Sequence, residues 1–119
     1  MTGKYYQGED ILITISLYNN KEMTEKVNLA NYDVDLMIVG SDSSTLIAST
    51  DSSSDIADST ITVVDDYSLR AHFAPSLTSK LAVGNARVEV KMVDQDSGYT
   101  MISTNDSVFI ENSDIGKLY

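Results

Sequence analysis

The chain has 119 residues with no cysteine, one histidine, eight Lys plus Arg and eighteen Asp plus Glu, for a formal charge of −10. That length suits one domain, with a radius of gyration of roughly 14 Å if compact. The composition excludes disulfides, thiolate metal sites, a cysteine nucleophile and any site built from several imidazoles, and the negative surface argues against nucleic-acid or anionic-membrane partners.

The opening MTGKYYQGED has neither a basic start nor an apolar core, so no signal peptide is expected, and no apolar run approaches the length of a membrane span. A cytosolic origin is expected, with release by lysis as an equal possibility. Residues 1–8 read as an amino-terminal arm. From there the chain follows a period of two. Ile11, Ile13, Ile15 and Leu17 alternate with Leu12, Thr14, Ser16 and Tyr18, which predicts a strand with one strongly apolar face, broken at Asn19-Asn20-Lys21. Tyr32, Val34, Leu36 and Ile38 form a second such face, closed by Gly40, and TLIAST (45–50) a short third strand. DSSSDIADS (51–59) is too polar for a core and reads as an exposed loop. TITVVDD (60–66) and SLRAHFA (68–74) follow as two strands joined by an Asp-Asp-Tyr turn.

Pro75 suits a first helical position, and Leu77 and Leu81 lie four apart, so residues 75–82 are expected to make a turn or two of helix that plugs one end of the sheet structure. After Gly84-Asn85, Ala86, Val88, Val90 and Met92 alternate with Arg87, Glu89 and Lys91, a half-buried strand. YTMIST (99–104) and SVFIE (107–111) are expected to add two more, and residues 112–119 a carboxyl-terminal tail. Seven to eight short strands with one short helical turn predict an all-β fold, an antiparallel immunoglobulin-like β-sandwich, although the Cys and Trp core marker of antibody domains is absent.

Asp94, Asp96 and Gly98 suggest a calcium loop. Against it, the glycine stands at position five rather than six, and Asn105 occupies the place of the closing glutamate. A hairpin in which Gly98 supplies a positive φ is the preferred reading. Asp51, Asp55, Asp58, Asp65 and Asp66 could gather round a cation, but acid in exposed loops more often simply solvates them. His72, with Arg70, is expected on the outer side of its strand and without a nucleophile motif beside it. No G-x-S-x-G, H-E-x-x-H, P-loop or Rossmann fingerprint occurs. Neither enzyme activity nor a cofactor or metal is expected. Lys4, Tyr5 and Tyr6 in the arm, and Ile115, Leu118 and Tyr119 at the carboxyl end, are the candidate partner-binding residues, because tyrosine and apolar groups favour protein interfaces. Packing on the domain's own edge strand is the competing reading for the arm.

In order, Gly8-Glu9-Asp10 before ILITISLY, then VNLANYDVDLMIVG, TITVVDDYSLRAHFA, PSLTSKLAVGNARVEVKMVDQDSG, YTMIST and DSVFIEN, the chain resembles the amino-terminal immunoglobulin-like domain of phage baseplate upper proteins over residues 8–111. It departs at Gly84-Asn85-Ala86, where that family usually enters the strand with glycine-tyrosine. The resemblance implies a non-enzymatic structural protein of a tailed-phage virion: an auxiliary capsid or decoration protein, or an adaptor, docked on capsid, fibre or baseplate proteins and multimeric on the particle. A carbohydrate-binding or host-adhesion module at the baseplate or fibre is the alternative.

Overall fold

A computed structural model describes residues 2–18, 26–51, 53, 55–113 and 115. Among them are eight strands: β1 (Thr2–Tyr6), β2 (Ile11–Ile15), β3 (Tyr32–Val39), β4 (Thr45–Ser49), β5 (Ser59–Asp65), β6 (Ser68–Phe73), β7 (Gly84–Asp94) and β8 (Thr100–Glu111). The one helix among the described residues is α1 (Pro75–Thr78), with Pro75 at its start. It is shorter than the 75–82 expected: Ser79 and Lys80 already belong to a turn. The fold is all-β, and its Cα radius of gyration is 14.6 Å.

The strands run in the order β1-β8-β7-β3-β4-β5-β6-β2. Five of them, β1-β8-β7-β3-β4, form one set and β5-β6-β2 another, joined only where β4 and β5 pair at Ala48–Ser59 and Ser49–Thr60. That pairing is parallel, and so is β1 with β8. The sheet is therefore mixed, which corrects the expectation of a purely antiparallel one. Period-two alternation is the same for either direction, so direction is decided by where the connections carry the chain.

Most strands turn one alternating set of apolar residues inward, while β5 leaves Val63 and Val64 exposed. Ile11, Ile13 and Ile15 of β2, Val34, Leu36 and Ile38 of β3, and Leu69, Ala71 and Phe73 of β6 are all buried, with Ala86, Val88, Val108 and Ile110 facing them from β7 and β8. Leu29 and Leu81 fill the ends from connecting segments. Burying an aliphatic or aromatic side chain of this size contributes about 1.5–3 kcal/mol, so this shared interior is the main source of stability.

Two local features differ from the sequence reading. Thr2–Tyr6 is a strand, so the arm belongs to the sheet. The two late strands expected at 99–104 and 107–111 are one strand, β8. Opposite β7, the register passes from Val88–Asp106 to Val90–Ser103, two steps on β7 against three on β8, so a bulge absorbs the residue that a break was expected to remove.

The ends of the strand order come close to closing. The Tyr5 hydroxyl on β1 donates to the Leu12 carbonyl on β2 at 3.3 Å. Between them the chain turns at Gly8, whose φ of 80° fits the third position of the turn closed by Glu9 N–H to Tyr6 O at 3.0 Å. The α1 segment is tied beneath this crossing. The Thr78 hydroxyl donates to Glu9 O at 2.8 Å, and the Gln7 side-chain amide donates to Leu81 O at 2.7 Å.

Candidate functional site

The candidate residues of the amino-terminal arm sit on β1. Lys4 lies opposite Phe109 and makes an ion pair with Glu111 at 3.0 Å. The hydrogen bond and charge of Glu111 hold the Lys4 ammonium above its ordinary pKa. Tyr5 packs against the core, while Tyr6 remains 51% exposed. At the other terminus Ile115 is 77% exposed, and Leu118 and Tyr119 lie outside the described residues.

The stretch Asp94–Tyr99 is a hairpin between β7 and β8. Gly98 N–H donates to Asp94 O at 2.8 Å, Asp94 N–H donates to Tyr99 O at 2.9 Å, and the Asp94 carboxylate accepts the Asp96 N–H at 2.9 Å. Gly98 has φ 74°, the left-handed conformation for which glycine was expected. The Asp96 carboxylate accepts from the Asn31 side-chain amide, so the acids of this loop already serve the turn and its neighbour. The acidic loop residues are likewise engaged locally: Asp51 accepts from the Ser53 N–H and hydroxyl, and Asp58 accepts from Ile47 N–H at 2.9 Å. Among the described residues no group of three acidic or imidazole side chains is arranged to hold a metal ion. His72 is exposed beside Arg70, on the outer side of β6 as expected, with Nε2 2.7 Å from the Asp10 carboxylate.

Among the concavities of the described residues, three bear on function. One, of about 340 Å³, opens at the incomplete seam, between Ile13, Ile15 and Leu17 on one side and Val90, Met92 and Met101 on the other. The second, also about 340 Å³, lies at one end of the molecule against Tyr32, Asp33, Asp65, Asp66 and Gln95. Backbone bonds from Leu29 N–H to Asp66 O and from Gln95 N–H to Asn31 O draw the β5–β6 and β7–β8 turns to this end, and these turns carry the exposed Tyr67 and Tyr99. A third hollow, about 320 Å³, lies on the outward face of β4, β3, β7 and β8, bordered by Met37, Ile47, Ile56 and Ile102.

That outward face escaped sequence reasoning. Met37 and Ile47 stand on the polar side of their strands' alternation, Ile56 falls in a Ser/Asp-rich loop, and Ile102 is one apolar residue among several in YTMIST. The signal available was an apolar residue at a position of outward parity; what joins them is the strand pairing. No family model matches this chain, and no curated protein matches it.

Proposed function

We propose that this chain is a non-enzymatic structural protein of a tailed-phage virion, an auxiliary capsid or adaptor protein with an immunoglobulin-like sandwich that docks on other virion proteins. The family resemblance over residues 8–111 supplies the virion context. The observation that carries the reading is the strand order. A five-strand set β1-β8-β7-β3-β4 lies beside a three-strand set β5-β6-β2, joined by a single short pairing, as in sandwiches whose connections pass between two sheets. Such a body presents sheet faces and edges to neighbours, which suits docking through many weak contacts on a symmetric particle.

The test is quantitative mass spectrometry of purified particles of the phage that encodes the chain, counted against the major capsid protein. Copy numbers comparable to the capsid protein assign a shell role. A few copies per particle assign the baseplate, neck or fibre base. Absence from particles overturns the virion reading.

A second reading has its own observation: one end of the molecule gathers Asp33, Asp65, Asp66 and Gln95 around a hollow, with Tyr67 and Tyr99 on the adjoining turns. Carboxylates that accept from sugar hydroxyls, and tyrosine rings that stack on sugar faces, are the ingredients of a glycan-binding end. Glycan-array binding that is lost in a Tyr67→Ala, Tyr99→Ala double variant is its expected result; an array without signal removes it.

A further inference from the structure

We propose that the outward face of β4, β3, β7 and β8 is a homodimer interface, occupied by a second copy of this chain about a twofold axis that runs between β3 and β7. The strand registers lay out the face. Across the sheet, one row reads Ser49, Asp35, Lys91, Ile102, and the next reads Ile47, Met37, Glu89. Ile102 is 68% exposed and Ile56 is 74% exposed, at opposite sides of the hollow between them. Large aliphatic groups clustered on a sheet face mark a surface that another protein covers.

Charge selects the occupant. Asp33, Asp35 and Glu89 against Lys91 and Arg87 leave one net negative charge on this face, with Arg87 and Glu89 3.7 Å apart. The chain as a whole has 18 acids and 8 bases, so what remains is 15 against 6, and −9 of the −10 lies elsewhere. A basic partner finds its attraction on those other surfaces. A second copy, which those surfaces repel, finds here the bases Lys91 and Arg87 to offset most of the acid it brings.

Symmetry supplies the fit. Rotation about an axis lying in the face along the strands sets each β3 over the other copy's β7, and each β8 over the other copy's β4. Asp35 then faces Lys91 of the partner subunit, and the reciprocal pair forms as well, as a twofold interface requires. Ile102 is set over Ser49 of the partner subunit, with Ile47 of the partner subunit in the adjoining row. Four strands at about 4.8 Å spacing, and about 25 Å along β3, give roughly 500 Å² per copy, or roughly 1,000 Å² in all, the lower bound of a specific interface.

Sedimentation velocity on the full chain tests this at about 100 μM, where a micromolar dimer is largely formed. The unmodified chain is expected to sediment as a dimer, and Ile102→Asp to raise the dissociation constant about tenfold or more. Asp35→Lys alone sets lysine against lysine, and Lys91→Glu alone sets acid against acid, so each is expected to be monomeric. Mixed in equal amounts they regain both opposite-charge pairs and form a heterodimer, a result that no change within one chain can produce. A monomeric unmodified chain overturns the proposal, as does a dimer indifferent to Ile102→Asp or a mixture that stays monomeric. The particle count decides the virion reading separately, so either idea can fail without the other.

Discussion

Gly98 illustrates what one residue contributes here. Its φ is 74°, and a Cβ placed there would meet nothing within 4 Å, so a side chain at this position carries only conformational strain. Gly98→Ala is expected to cost about 1 kcal/mol in denaturant unfolding with an unchanged m-value. Two turns hold acids in a comparable local way. The Asp42 carboxylate accepts the Ser44 hydroxyl at 2.6 Å and its N–H at 3.0 Å, and Asp51 accepts the Ser53 hydroxyl at 2.7 Å and its N–H at 2.9 Å. These bonds hold both carboxyls below the ordinary range, the side-chain bond being the larger cause. Because the folded-state value is depressed, the stabilisation is complete above the ordinary carboxylate range and is lost as pH falls through the lowered value. An NMR titration should therefore show the Asp42 midpoint moving upward in Ser44→Ala while Asp51 stays in place; an immobile Asp42 would remove this account. The Gly98 hairpin was legible as turn chemistry, and 51–59 as a loop, because their hydrogen bonds join residues close in sequence.

Among the elements, β2, β3, β6 and β7 were legible because each alternates over five or more residues, and their burial follows the same parity. β1 was not, since TGKYY offers too few apolar positions to mark a face; it becomes a strand because β8 presents Ser107–Glu111 for it to pair with. The unity of β8 was hidden for a related reason: Asn105-Asp106 reads as a break, but β7 continues opposite it and the ladder accommodates the extra residue. Removing residues 1–7 should therefore expose the β8 edge, strip the Tyr5 and Gln7 contacts, and cost about 2 kcal/mol or more, about 8 °C in Tm. A thermal scan of the truncated chain that matches the full one would make β1 dispensable. The short helix depends on a buried side chain as well. Thr78 is fully buried and its hydroxyl serves the Glu9 carbonyl, so Thr78→Val keeps the shape and leaves that acceptor unpaired. The expected loss is about 1–2 kcal/mol, read from a chemical denaturation midpoint.

For the whole molecule the dominant physical fact is a charge of −10 on a body with principal extents of 45 × 34 × 24 Å. Self-repulsion on that scale is screened as the Debye length falls from about 30 Å at 0.01 M salt towards about 3 Å at 1 M, so Tm in dilute protein should climb by several degrees across that range. A flat or falling profile would mean that the acids are already balanced by their neighbours. Of the candidate docking residues, only the character of the groups was readable in advance. Tyr5 and Lys4 engage β2 and β8 of the same domain, Tyr6 and Ile115 remain exposed, and the face bearing Ile102 arose only when four strands were set side by side. The sequence by itself determined the all-β class, the inward face of most strands, the hairpin at Gly98 and the negative surface, because each depends on alternation, local turn chemistry or a sum of charges. Only the tertiary structure decided the parallel pairings, the β8 bulge, the near-closure of β1 on β2, and the neutral row of Asp35, Lys91 and Ile102. Each of these depends on which distant segments become neighbours, and that is settled by the competition of whole strands for one shared interior.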